Sequence, residues 1–161
     1  MQSSTLLIAW HSRTGASRQL AVAAAEGAGS AGTLVAAGDV TPATILAASG
    51  YLFVCPENLG ALSGAMKEMF DRCYYPLLGQ LEGRAYATII AAGSDGTGAI
   101  RQLDRIVTGW RLRRVAEPVI VCTDAQAPDS IQANKRIAAA RLDEARALGA
   151  ALAEGLSAGI F

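Results

Sequence analysis

The chain has 161 residues, enough for a single domain spanning 1–161 with a full hydrophobic core. Hydrophobic residues make up 52% and charged ones 17%, and 14 basic against 14 acidic side chains leave a formal net charge of +0. That balance argues against nucleic acid as the main partner and against an acidic electron shuttle. The absence of an apolar run of about 18 residues argues against a membrane span.

In chain order, the first apolar run is 5–10, rich in β-formers and apolar throughout, as in a strand buried on both faces. His11 follows, the one histidine; it either donates into a site or simply turns toward solvent or backbone. Next come Ser12, Arg13, Thr14, Gly15, Ala16 and Ser17. Hydroxyls at every second or third position, with one glycine, between a strand and a helix, suit a wrapped phosphate: helix-start amides carry partial positive charge, and glycine lets backbone approach. No Gly-x-x-x-x-Gly-Lys-Ser/Thr occurs, so this is not a nucleoside-triphosphate loop. A Ser/Thr helix cap has the same composition, and the loop alone leaves both readings open.

An alanine-dense helix is expected over 15–28, with Leu20, Ala23, Ala24 and Ala28 on its inner side. The stretch from Gly27 to Gly32 formally matches Gly-x-Gly-x-x-Gly, but it follows a helix and precedes a strand, so it reads as a flexible helix exit. A strand at 33–37, a short helix at 42–48 with Thr41 as cap, and a strand at 51–55 follow. The loop from Pro56 to Gly64 leads into the clearest helix, 63–75, where Met66, Met69, Phe70, Cys73 and Tyr74 share one face. A strand at 85–92 opens into Gly93, Ser94, Asp95, Gly96, Thr97 and Gly98, then a helix at 98–110. Arg101, Arg105, Arg111, Arg113 and Arg114 form a basic cluster that reads as a solvated face or a contact for a phosphate. A strand at 118–122 and one long helix at 130–156, with Ala145, Leu148, Leu152 and Leu156 inward, complete the chain. Cys55, Cys73 and Cys122 read as buried structural thiols of a reduced, cytoplasmic protein, and the residue types give little basis for a metal site.

Five βα units in this order predict an α/β fold, a three-layer doubly wound parallel sheet in strand order 2-1-3-4-5. In that order the sheet reverses between its first and third strands, and a ligand crevice opens at their carboxyl ends. The three unusual loops, after the first, third and fourth strands, are those that border it.

Here a family resemblance attaches to particular residues. Ser/Thr-x-Thr-Gly-x-Ser/Thr at 12–17 resembles the FMN-phosphate loop of flavodoxin-like proteins. Pro-x-x-x-Gly-x-x-Ser-Gly-x-Met-Lys-x-x-x-Asp-Arg at 56–72 is similar to the second flavin loop of NAD(P)H-dependent FMN reductases, and Leu81-Glu82-Gly83-Arg84 with 93–98 to their third. The resemblance implies a flavodoxin-like fold and an FMN site. Ser12, Arg13, Thr14, Gly15, Ala16 and Ser17 would hold the phosphate. Pro56, Glu57, Asn58, Leu59, Gly60 and Ala61 would line one edge of the isoalloxazine, and Gly93, Ser94, Asp95 and Gly96 the other. Glu57 or Asp95 would accept the flavin N3–H, though Asp95 could equally cap the turn at Gly96.

The second and third loops contain no aromatic residue, where many members carry one. A ring left bare on one face accepts a stacked nicotinamide or quinone, so the resemblance implies an FMN-dependent oxidoreductase. NADH or NADPH would serve as co-substrate, with a quinone-like small acceptor or a redox partner protein. No acid–base residue of the chain is required for such chemistry. The alternative is a non-enzymatic flavodoxin-like electron carrier. Small apolar faces also suggest a homodimer.

Overall fold

Side chains alternate in direction along a strand, so a run that is apolar throughout must be covered on both faces. The computed structural model, which describes residues 4–161, has that arrangement in its central strands, while the edge strand Gly32–Ala36 leaves Thr33 and Leu34 exposed. The elements in chain order are β1 (Leu6–Trp10), α1 (Ala16–Ala28), β2 (Gly32–Ala36), α2 (Pro42–Ala47), β3 (Gly50–Asn58), β4 (Ala61–Leu62) and α3 (Gly64–Tyr74). They continue with β5 (Ala85–Ala92), α4 (Thr97–Gly109), β6 (Arg113–Arg114), β7 (Val119–Cys122), α5 (Pro128–Gln132) and α6 (Ala139–Ser157).

The sheet runs β2-β1-β3-β5-β6, with β7 also on β5 and β4 on β3. All pairings are parallel except β3 with β4. This is the expected doubly wound order, with β5 and β7 as the fourth and fifth major strands. Leu7, Ala9, Tyr51, Phe53 and Cys55 point into a core built with Met66, Met69, Phe70 and Cys73 of α3 and Leu103 and Val107 of α4. Leu6, Ile8, Leu52 and Val54 point the other way, onto Leu20 and Ala24 of α1 and Ala145 and Leu152 of α6. The register pairs Trp10 with Val54 and Pro56 with Ala91, so the loops after β1, β3 and β5 emerge side by side.

Several expectations are corrected. The long terminal helix is two: α5 ends at Gln132, and residues 133–138 cross toward α1 before α6 begins at Ala139. On α6, Ala145 and Leu152 are buried as expected, while Leu148 and Leu156 are only half-buried and Gly149 takes an inner position. Gly27 is no flexible exit. A Cβ there would fall 1.9 Å from the Arg146 carbonyl oxygen, and one on Gly149 would fall 2.0 Å from that of Ala24, so α1 and α6 meet backbone to backbone. β3 continues through Pro56, Glu57 and Asn58, residues whose composition reads as loop. Of the thiols, Cys55 and Cys73 are buried, but Cys122 is exposed because the end of β7 lies at the sheet margin.

Candidate functional site

The crevice begins where β1 ends. Gly15 closes the turn with φ +93° and ψ −11°, a left-handed conformation that costs glycine no steric penalty, and α1 starts immediately after it. Its N–H donates to Ser12 Oγ at 3.0 Å, so the Ser12 hydroxyl shapes the loop from within. The amides of Ala16, Ser17 and Arg18 have no acceptor among the described residues, and no acidic side chain stands in the first turn. Ser17 is 1% exposed, and its Oγ has no hydrogen-bond partner. A buried hydroxyl left unpaired costs about 1–3 kcal/mol, so an oxyanion at this helix start would satisfy a group that the described residues do not. Arg13 and Arg18 are exposed beside it and belong to no ion pair of the described residues.

His11 lies at the floor of the same loop, half-buried, its Nδ1 sharing a 2.8 Å hydrogen bond with the fully buried Ser63 hydroxyl at the start of α3. It therefore bridges the first and second loops rather than facing solvent alone. Burial, and then the neighbouring Arg13 charge, hold its pKa below the ordinary imidazole value. Behind Ser63, burial pushes the Cys55 thiol up to about 12, which leaves it protonated and inert.

The second loop is a hairpin. β3 and β4 pair through Glu57 with Leu62 and Asn58 with Ala61, leaving Leu59 and Gly60 as the two-residue turn. Both have positive φ, +52° and +74°, the primed turn that matches strand twist. Gly60 suits that geometry; Leu59 does not, and its side chain is fully exposed at the tip.

The third loop fastens this hairpin. Glu57 extends its carboxylate to the start of α4, accepting from Gly96 N at 3.0 Å and Ala99 N at 3.1 Å. Gln102 on α4 accepts from Leu62 N at 2.7 Å. A Cβ on Gly98 would fall 2.1 Å from the Gly60 carbonyl oxygen, and one on Gly96 would fall 2.7 Å from Ile120. Packing therefore accounts for Gly98, and packing together with a left-handed φ of +91° for Gly96. Asp95 caps the turn: Oδ1 accepts from Thr97 Oγ1 at 2.7 Å and Thr97 N at 3.2 Å, which holds its carboxyl below the usual range. Of the two crevice carboxylates, Glu57 serves the helix and Asp95 the turn.

The basic cluster spreads out. Arg114 pairs with Asp104 at 3.3 Å, while Arg101, Arg105, Arg111 and Arg113 are exposed. Sequence reasoning had no signal for Gln19, Gln102 or Lys135, whose partners are remote along the chain. Gln19 and Lys135 brace the first loop; Lys135 N donates to Thr14 O at 2.7 Å.

A family model described as NADPH-dependent FMN reductase matches residues 38–127, covering the second and third loops and beginning after the first. A flavodoxin of Aquifex aeolicus is 34% identical over 97 residues, which is 58% of this chain and 52% of that protein. The match thus spans about half the length of that curated relative. Among solved structures, the flavodoxin, WrbA-like protein from Agrobacterium tumefaciens superposes with a TM-score of 0.77 at 20% identity, covering 96% of this chain and 98% of that one. Rubredoxin oxygen:oxidoreductase from Desulfovibrio gigas gives 0.75 at 15% identity, covering 99% of this chain but 38% of that one. At these identities the superpositions bear on the fold, which is flavodoxin-like.

Proposed function

This chain belongs to the NADPH-dependent FMN reductase family, and on that premise we propose that it is an FMN-dependent oxidoreductase. It would draw electrons from NADH or NADPH and pass them to a quinone or another small acceptor. The observation that carries the reading is the open start of α1, with unpaired amides at Ala16 and Ser17, the orphaned buried Ser17 hydroxyl and no acid in the first turn. These groups fit the phosphate of FMN, which is a dianion well matched to a helix N-terminus.

In this reading Ser12, Arg13, Thr14, Gly15, Ala16 and Ser17 hold the phosphate. The β3–β4 hairpin from Pro56 to Ala61 lines one edge of the isoalloxazine, and Gly93 to Gly96 line the other. When bound, the flavin supplies the redox chemistry, the reversible uptake and release of electrons. The chain's own part is to bind and orient. Loop-one donors fix the phosphate end. The hairpin, held to α4 by Glu57 and Gln102, is a firm wall for the ring. Leu59, fully exposed at the hairpin tip, offers an apolar surface without the aromatic plane that would occupy the stacking position of a nicotinamide. The exposed Arg101 and Arg105 on α4 stand as candidates for the 2′-phosphate that separates NADPH from NADH.

Anaerobic titration of the flavin-loaded protein with NADH or NADPH, followed by visible spectroscopy, tests this. Bleaching of the bound flavin by sub-stoichiometric to equal amounts of nicotinamide is the expected result. Flavin that binds but stays oxidised would overturn the reductase in favour of an electron carrier, and failure to bind flavin would overturn both.

A further inference from the structure

We propose that Gln19 is a positioning residue for anion binding at the first loop, and that residues 133–138 form a strap through which it acts; the proposal rests on the phosphate reading above. Gln19 is one turn into α1, and its amide is shared between two segments far apart in sequence. Its Nε2 donates to Gly15 O at 2.9 Å and to Lys135 O at 2.8 Å, and its Oε1 accepts from Ile137 N at 3.1 Å. Lys135 N completes the brace by donating to Thr14 O at 2.7 Å. Lys135 takes part through its backbone only, because its ammonium is bound to the Ile131 and Ala133 carbonyls at the end of α5. Ile137 is 6% exposed and anchors the strap in the core beneath α1 and α6.

Peptide geometry gives these bonds their effect. The peptide unit is planar and trans, so its C=O and N–H point in opposite directions. Gly15 O is held by Gln19 N at 3.1 Å as well as by Nε2, so the Ala16 N–H keeps its direction whatever the side chain at 19. The part that depends on the Gln19 amide is the strap, whose hold on Thr14 O directs the Gly15 N–H toward Ser12 Oγ. Gly15 in its left-handed conformation is where such peptides turn most freely. Without the strap, the Thr14 carbonyl oxygen is free to turn toward the anion and replace an attractive dipole with a repulsive one. The outer side of the strap faces an open cavity of about 460 Å³ lined by Gln19, Arg136, Ile137, Ala138, Ala139 and Leu142. Shortening Gln19 therefore admits water and leaves no sealed void.

The test compares FMN with riboflavin, which has the same ring and no phosphate. Dissociation constants are read from quenching of flavin fluorescence. Gln19→Ala is expected to weaken FMN about tenfold, the size of one or two lost orienting hydrogen bonds, with riboflavin affinity unchanged. Equal losses for both flavins, or no loss for either, overturn the role of Gln19. If the unaltered protein binds FMN no better than riboflavin, the phosphate reading itself falls. A second measurement needs no variant: hydrogen exchange at the Lys135 and Ile137 amides of the unaltered protein. By reciprocity of coupling, FMN must slow exchange at these strap amides more than riboflavin does. Equal protection by both flavins, with FMN still the tighter ligand, removes the strap from the site.

Discussion

Two helices of this protein start in nearly the same way and do opposite things. α1 and α4 each begin behind a left-handed glycine, Gly15 at φ +93°, ψ −11° and Gly96 at φ +91°, ψ −15°, and each faces the crevice. Both therefore expose a partial positive charge to the same space. At α4 that charge is already met, because Glu57 accepts from Gly96 N and Ala99 N. At α1 nothing among the described residues meets it, and Ser17 Oγ is left without a partner among them. An anion site is thus defined here less by the presence of a helix start than by the absence of an internal acid at one of them.

The contrast breaks most visibly at Glu57. Glu57→Ala removes two hydrogen bonds to a charged acceptor, so unfolding stability should fall by about 2–4 kcal/mol, measured by urea denaturation. It also turns α4 into a second vacant start, so added sulfate should restore more stability to this variant than to the parent. A sulfate response the same in both proteins would contradict the assignment. Ser17→Ala should have a smaller effect, with opposite signs for stability and binding. Removing an unpaired buried hydroxyl leaves the apo protein unchanged or up to about 1 kcal/mol more stable, while FMN affinity drops about five- to tenfold. Affinity that stays constant would show that this hydroxyl is not a phosphate donor.

The smallest expected effect is at His11, the bridge between the two sides. Its folded pKa lies below the 6.5 of the unfolded chain, through burial and Arg13. In the window between those values the unfolded state binds more protons than the folded state, so stability rises with pH there and levels off above about 6.5. Below the folded value the loss is complete. Stability measured from pH 5 to 8 should show this slope, reduced in His11→Gln. Identical slopes would mean that His11 does not titrate with folding.

How much of this was legible in the chain depends on the range of the interactions. The buried strands were readable because parallel strands covered on both faces are apolar at every position, and the crevice followed from their order. The hairpin was half hidden: Pro56-Glu57-Asn58 has loop composition, and only pairing with β5 and β4 makes it a strand. Residues 133–138 looked helical because Asn-Lys-Arg-Ile-Ala carries no strong breaker; what keeps them extended is Ile137 in the core and Gln19 on their backbone. The hold of Glu57 on α4 has no sequence signature, because its partners, 39 and 42 residues away, are backbone amides. Cys122 was misplaced because a strand-end thiol looks the same whether its strand lies at the centre or the margin of the sheet.

The meeting of α1 and α6 at Gly27 and Gly149 has a mechanical consequence. Contacts between side chains can slide, since rotamers adjust to small shifts; a contact between main chains has no such slack. α1 is thereby fixed along its axis like a keyed shaft, with its far end locked and its near end presenting amides to the crevice. An alanine at either glycine would drive its Cβ into the facing main chain, forcing the helices apart and moving the first loop with α1.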